Sequence, residues 1–367
     1  MFPCQRWRFL LLLLPLAGCS SAKRQVVAFR LEALGDTVIT PYGDIPEAVW
    51  LGGMRWAVVA PQDRAVGLVD FGQKTLTPFD GASPRALSQP FHIFRAGDSL
   101  YIGDWAKRRI TSWSLTGRPG ASVPASDAYR GTLPSARDTL GRWYIEVRAA
   151  PGPDGRGNLD SALVLRTTPD LSRADTVARL APLDMVEVAS DGGRRLERRL
   201  LSGQDRWGAL PDGSVWLARV SQNRVDWQSP SGETRIGDEL PDRVLPVTES
   251  DREIFLSHFD AALRPTVAET PFAAIKPPFD AAMADSAGQV WLVTSRAVGD
   301  TLRDYQIVDR HGHLRAEAAH PGLGRTLGLG GGYALVGEPF ARGVRLLLFR
   351  VPAGAAGRSP LQSEKHQ

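Results

Sequence analysis

The chain has 367 residues, a formal net charge of +4 and 43% hydrophobic content, enough apolar material for one large domain or two smaller ones. Arginine outnumbers lysine 39 to five, yet 40 acidic residues hold the balance near neutral, which excludes the charge excess of a nucleic-acid binder. With only Cys4 and Cys19, both near the N-terminus, no disulfide framework or cysteine metal site is expected in the body.

The first element in chain order is an export signal. Arg6 and Arg8 precede an apolar run, Phe9 to Leu14, that is too short to span a bilayer. Leu16-Ala17-Gly18-Cys19 follows, and this pattern resembles the lipobox of bacterial lipoproteins. The resemblance implies that residues 1–18 are a signal peptide and that Cys19 is acylated after cleavage. Loss of Arg6 and Arg8 would lower the formal charge to +2. Residues 19–25 then form a lipid-anchored tether. Its six residues beyond Cys19 reach about 20 Å at most, so the body is expected close to the headgroups. Ser20, where enteric sorting retains proteins carrying aspartate, implies an outer-membrane address.

Residues 26–352 read as short β-like runs separated by Gly, Pro and Asp turns. A strand carrying an aromatic recurs, at Trp56, Tyr101, Tyr144, Trp216, Trp291 and Tyr333. A polar turn usually precedes it, as in Leu210-Pro211-Asp212-Gly213 and Asp285-Ser286-Ala287-Gly288. A second strand follows and often ends in a glycine turn, as at Thr116-Gly117 and His311-Gly312. Hairpin after hairpin with one aromatic per unit predicts an all-β propeller. Three aromatic intervals are 42–45 residues, one four-stranded blade each, whereas 72 and 75 residues are read as insertions in a six-bladed ring. Seven blades follow if either insertion holds a further unit.

The run Leu100-Tyr101-Ile102-Gly103-Asp104-Trp105-Ala106-Lys107-Arg108-Arg109-Ile110-Thr111-Ser112-Trp113, with Gly117 closing the turn, resembles the NHL-like six-bladed propellers. The C-terminal half is similar to a group of bacterial propeller lipoproteins. That likeness is carried by a helix near 250–264, by Lys276-Pro277-Pro278-Phe279 and by Gly288-Gln289-Val290-Trp291-Leu292. It bears on fold more than on function.

The helix begins with Ser250-Asp251-Arg252-Glu253, read as a capping box with Ser250 at the N-cap. Ile254, Phe255, His258, Phe259, Ala262 and Leu263 form its apolar face, expected either to lie across a blade edge or to dock a partner. Val26 to Leu31 is expected to close the last blade beside Val344 to Val351. Residues 353–367 are polar and small and are expected to be a disordered tail.

Three constellations carry charge or chemistry. Arg64, Arg109 and Arg224 each lie eight residues after a blade aromatic, and Arg303 and Arg342 fall in matching loops of later blades. With Asp104 and Trp105 these form the candidate ligand face. The arginines either pair within a blade, as Arg109 with Asp104 or Arg64 with Asp63, or make a cationic rim for an anionic ligand. The run Arg194-Arg195-Leu196-Glu197-Arg198-Arg199 is a solvated connector diluted by Glu197, Asp191 and Asp205, or a patch for anionic lipid. His311-Gly312-His313 sits in a turn, with no third ligand nearby in sequence to complete a metal site. His92 is expected in the core or channel, and His258 in helix packing.

No nucleophile elbow, phosphate loop, zinc-protease helix or EF-hand loop is present, so no catalytic residue or cofactor is assigned. These features predict a monomeric, exported, membrane-anchored binding or scaffolding module for an envelope protein or glycan, without contact to nucleic acid. The alternative is a calcium-dependent hydrolase or lyase of the gluconolactonase type. Only two asparagines, Asn158 and Asn223, are available to the ligand set that resemblance implies.

Overall fold

A computed structural model describes residues 26–79, 87–148, 162–190, 193–322 and 324–352. The signal segment, Cys19, the tether, Asn158, Asp191 and the tail lie outside the described residues. Among those described, almost all regular structure is β, and six antiparallel sheets of at least four strands form six blades. In chain order their consecutive strands span residues 47–78, 90–124, 136–179, 206–235, 279–321 and 325–350. The first strand of each blade touches the first strands of both neighbours, and the sixth returns to the first. The molecule is a six-bladed β-propeller.

Every aromatic of the sequence repeat lies in the second strand of its blade. These strands read as unbroken apolar runs because both of their faces pack on neighbouring blades. Trp56 to Ala60 is wholly buried, and so is Leu100 to Asp104. Outer strands such as Pro119–Pro124 are mostly exposed and carry small side chains and prolines. Six hydrophobic clusters fill the six interfaces between successive blades. Trp56 and Leu335 meet between blades six and one, and Trp291 and Phe349 between five and six. Burial of one such side chain contributes about 1.5–3 kcal/mol, so each interface has its own stabilising core.

Among the described residues the two long intervals contain no seventh blade. The first adds a lone hairpin, Met185–Ser190 with Gly193–Arg198, between blades three and four. The second adds two short helices, α1 (Glu249–Ser257) and α2 (Arg264–Ala268), rather than one helix through 264. The cap of α1 also differs from the expectation. Thr248, not Ser250, is the N-cap; its side chain accepts the Asp251 amide while Asp251 accepts the Thr248 amide at 2.9 Å. Asp251 also accepts from Lys276, which fixes it as the N3 residue. No residue of α1 is fully buried, and Ile254 remains 50% exposed. Phe255 packs on Phe259 and Phe272, so only part of the apolar face is covered.

Ring closure is one element later than the sequence suggests. Glu32–Thr40, not Val26 to Leu31, supplies the fourth strand of blade six, antiparallel to Gly343–Arg350. Val27–Arg30 instead adds a parallel fifth strand to blade five, with Val27 opposite Ala316 and Arg30 opposite Ala319. The reason lies in the side chains. Phe29 packs on Trp291, and Leu31 enters the core between blades five and six. Val38 and Thr40 fill the core side of blade six. The N-terminal segment therefore clasps two blades together.

Candidate functional site

Antiparallel blades place the turns between strands one and two, and three and four, on one face of the disk. Loops between strands two and three, and the entries to each first strand, share the other face. The sequence-predicted residues all fall at second-to-third strand connections: Arg64 in blade one, Asp104, Trp105 and Arg109 in blade two, Arg224 in four, Arg303 in five and Arg342 in six. They share a face but do not converge on one point.

Their roles on that face differ. Asp104 is buried, and its carboxylate accepts the amides of Ser88, Gln89 and Lys107. It joins the loop to the blade entry instead of facing solvent. Asp63 does the same for the Gly43 amide at 2.8 Å. Arg224 lies within a blade, 2.9 Å from Asp226, which also pairs with Arg219; Arg219 in turn reaches Asp205. Arg303 lies 3.7 Å from Asp280. Arg342 is exposed in its loop. Trp105 is 55% exposed and meets Phe91 edge-on at 5.8 Å, an aromatic pair open to solvent.

The register of the arginines is not uniform. Asp104 pairs with Arg109 and Arg219 with Arg224, so both arginines open a third strand. In blade one Ala60 pairs with Ala65, and Arg64 is the left-handed turn residue before it, at φ 54°. Arg108 and Asn223 hold the corresponding left-handed positions. The second strand of blade one is one residue longer beyond its aromatic, which shifts a count taken from Trp56.

A cavity of about 1010 Å³ opens on this same face, over blades four and five. Arg198, Ser202 and Gln204 enter it from the inserted hairpin and the segment that follows. Arg206 comes from the first strand of blade four, and Arg296 to Leu302 from the second-to-third loop of blade five. Ile254, Phe255 and His258 of α1 cover one side, and Lys276 to Asp280 the entry to blade five. Helix α1 and the Lys276-Pro277-Pro278-Phe279 run thus meet at one place. Lys276 Nζ donates to Asp251 Oδ1 at 2.5 Å and to the Arg296 carbonyl at 2.7 Å, tying α1 to the loop. His258 is an exposed lining residue, not a packed one.

Positive charge is concentrated here. Burial, reinforced by the nearby Arg198 charge, holds the Arg206 guanidinium below its ordinary value. Burial and Arg148 do the same to Arg198, and burial and Arg296 to Arg303. The basic run resolves accordingly. Arg194 pairs with Glu187, Arg195 with Glu197 and Glu269, and Arg199 with Asp184, whereas Arg198 turns inward to Ser202 and Gln204. Sequence reasoning missed Arg206 and Arg296. Both stand in or beside insertions and long loops where no repeat register applies.

Nearer the axis, His92 bridges three blades. Its Nδ1 lies 2.8 Å from Glu47 and its Nε2 3.1 Å from the Ser135 carbonyl. Burial works to lower its pKa, but the Glu47 charge and hydrogen bond outweigh that, and the net shift is upward. His311 and His313 lie on the opposite face, and His313 Nδ1 is 2.6 Å from Asp238. Among the described residues no three His, Cys, Asp or Glu side chains converge as a metal site. Asn223 spends its amide on the Leu240 and Pro241 carbonyls.

No family model matches the chain, and no curated protein does. Solved structures do. Regucalcin, a calcium-binding protein from Agrobacterium tumefaciens, is 10% identical with a TM-score of 0.44, over 89% of this chain and 97% of its own. Virginiamycin B lyase from Staphylococcus aureus is 9% identical with a TM-score of 0.44, over 86% and 98%. A member of the DUF4221 family from Bacteroides vulgatus is 7% identical with a TM-score of 0.47, over 88% and 96%.

Proposed function

We propose that this chain is an exported lipoprotein, anchored through Cys19, whose NHL-like propeller binds an envelope protein or glycan without transforming it. The cavity over blades four and five carries this reading. It gathers guanidinium groups from three separate segments on the face that also holds the loop arginines and Trp105. Convergence of cations and exposed aromatic surface on one face suits recognition. The short tether keeps that face within reach of other envelope components, and Ser20 directs the anchor to the outer membrane. The protein acts as a monomer and contacts no nucleic acid.

Fractionation and capture test this reading. Cys19→Ala should leave the propeller folded and release it from membranes. Sedimentation of the variant with membranes after a high-salt wash would rule out lipid as the anchor. The wild-type chain should retain an envelope component that a chain carrying Arg206→Gln and Arg296→Gln does not. Equal retention by both would remove the cavity from the binding face.

A further inference from the structure

The carboxylates that line the cavity are all committed. Asp251 pairs with Lys276 at 2.5 Å and Asp300 with Arg243 at 3.0 Å. Asp280 accepts from the Ser295 hydroxyl at 2.8 Å and lies 3.7 Å from Arg303. Lys276 is therefore compensated. Three lining cations, Arg198, Arg206 and Arg296, form no ion pair among the described residues. Arg198 donates to neutral groups, the Gln204 side chain at 2.7 Å and the Ser202 hydroxyl and carbonyl. Arg206 reaches only the Asp280 backbone carbonyl, at 3.4 Å. Arg296 makes no hydrogen bond or ion pair through its guanidinium among the described residues. Asp184 attracts Arg198, Glu146 and Asp280 attract Arg206, and Asp300 attracts Arg296, all from beyond ion-pair distance.

Charges drawn partly out of water and left without a direct ion pair favour an anion that completes them. Guanidinium forks match the two-oxygen geometry of carboxylate and phosphate. Much of the remaining lining is apolar, from Leu201, Ile254, Phe255, Pro277, Val298 and Leu302. Ile254 is 50% and Val298 49% exposed, so the cavity presents apolar surface beside its cations. The volume, about 1010 Å³, is at the upper end for one drug-sized ligand, roughly 300–1,000 Å³.

We infer that this cavity takes an amphiphilic organic anion, its carboxylate or phosphate held by Arg198, Arg206 and Arg296 and its apolar body laid against Ile254 and Phe255. The inference deepens the binding reading above and rests on it for the choice of face. Such a group can arrive on a lipid or on a free metabolite; the shared chemistry is an oxyanion on an apolar frame.

Isothermal titration of the purified full-length chain with octanoate, octyl phosphate, 1-octanol and inorganic phosphate tests it. Octanoate or octyl phosphate should bind, and the stronger of the two identifies the headgroup. Octanol and inorganic phosphate should each bind at least about tenfold more weakly, because each keeps only half of the recognition. Arg206→Gln and Arg296→Gln should each weaken binding about tenfold to a hundredfold, the loss of one charge-assisted contact. Arg235→Gln, on the exposed outer strand of blade four, should leave it unchanged. Added salt should also weaken binding. Absence of binding by either anion overturns the inference, as does binding insensitive to both substitutions or equal affinity for octanol. Circular dichroism of each variant shows whether a loss reflects unfolding. Capture of an envelope macromolecule without anion binding overturns this inference alone. Anion binding by a chain that captures nothing overturns only the envelope-partner reading.

Discussion

Trp291 Nε1 donates a 3.0 Å hydrogen bond to Asp285 Oδ2, while Asp285 Oδ1 accepts the Ala287 and Gln289 amides at 2.9 Å. Asp138 repeats the arrangement, accepting the Leu140 and Arg142 amides and the Tyr144 hydroxyl. In both turns the aromatic stands six residues after the aspartate. One carboxylate thus orders the turn and orients the ring that fills the space between blades. Among the described residues the clamp is particular to blades three and five: in the turn before Trp216, Asp212 accepts from the Ser214 amide and from Arg310 instead.

Asp285→Ala should therefore destabilise the fold by about 2–4 kcal/mol, because it leaves the buried Trp291 Nε1 and two turn amides without their acceptor. Asp285→Asn keeps one acceptor oxygen and should cost less. Urea unfolding of the two variants measures the difference through the shift in midpoint. An alanine variant as stable as the parent would show that the clamp contributes nothing.

The link between α1 and blade five rests on Lys276 and Asp251, whose side chains are 12% and 10% exposed. Hydrogen bonds from Lys276 and from Thr248 draw the Asp251 carboxyl below its ordinary range despite the opposing effect of burial. Lys276→Met removes the cation and leaves a partly buried carboxylate without its partner, a change that costs about 3–5 kcal/mol in fully buried pairs and less here. Since α1 has no fully buried residue, the loss should be local. Hydrogen exchange at Glu249–Ser257 should accelerate while the second strands of the blades keep their protection. Uniform acceleration across all blades would contradict a local role.

The ring was legible in the sequence because its second strands are buried on both sides and are therefore mostly apolar. Trp56, Tyr101, Tyr144, Trp216, Trp291 and Tyr333 mark blades for that reason. The shared face of the arginine loops was legible too, since strand order alone sets it. The cavity was not. Arg198 lies in a basic run that looks uniform, and only the fold shows that Glu187, Glu269 and Asp184 neutralise its neighbours. Arg296 sits in a long loop that breaks the repeat count. The helix cap failed for a tertiary reason, as Lys276 recruits Asp251 from 25 residues away. Ring closure failed because both N-terminal runs are strand-like, and only Phe29 and Leu31 facing blade five separate them.

The N-terminal clasp makes an asymmetric prediction. Leu31 is 4% exposed in the core between blades five and six, whereas Val27 in the same segment is 50% exposed. Leu31→Ala should cost about 2–4 kcal/mol through lost burial and the cavity left behind. Val27→Ala should stay within about 0.5 kcal/mol, as for most surface substitutions. Thermal melts of the two variants give the comparison. Similar losses would mean that Val27–Arg30 is held by its backbone ladder to blade five and not by its buried side chain.

The His92 bridge should make stability depend on pH. Protonated imidazole donates from both nitrogens, to Glu47 at 2.8 Å and to the Ser135 carbonyl at 3.1 Å, whereas the neutral ring donates from only one. The folded state therefore raises the pKa above the ordinary 6.5, with Glu47 outweighing the opposing effect of burial. A raised folded pKa means that the native state holds its proton more tightly than the unfolded chain. The contribution is complete below the unfolded value, near pH 6.5, and is lost as pH rises through the folded one. His92→Gln should consequently cost more stability at about pH 5.5 than at about pH 9, because the bridge loses its charge as pH rises through the folded value. Urea unfolding of both proteins at the two pH values decides the matter. A cost that grows toward high pH would reverse the sign and place the neutral ring, not the imidazolium, in the native bridge.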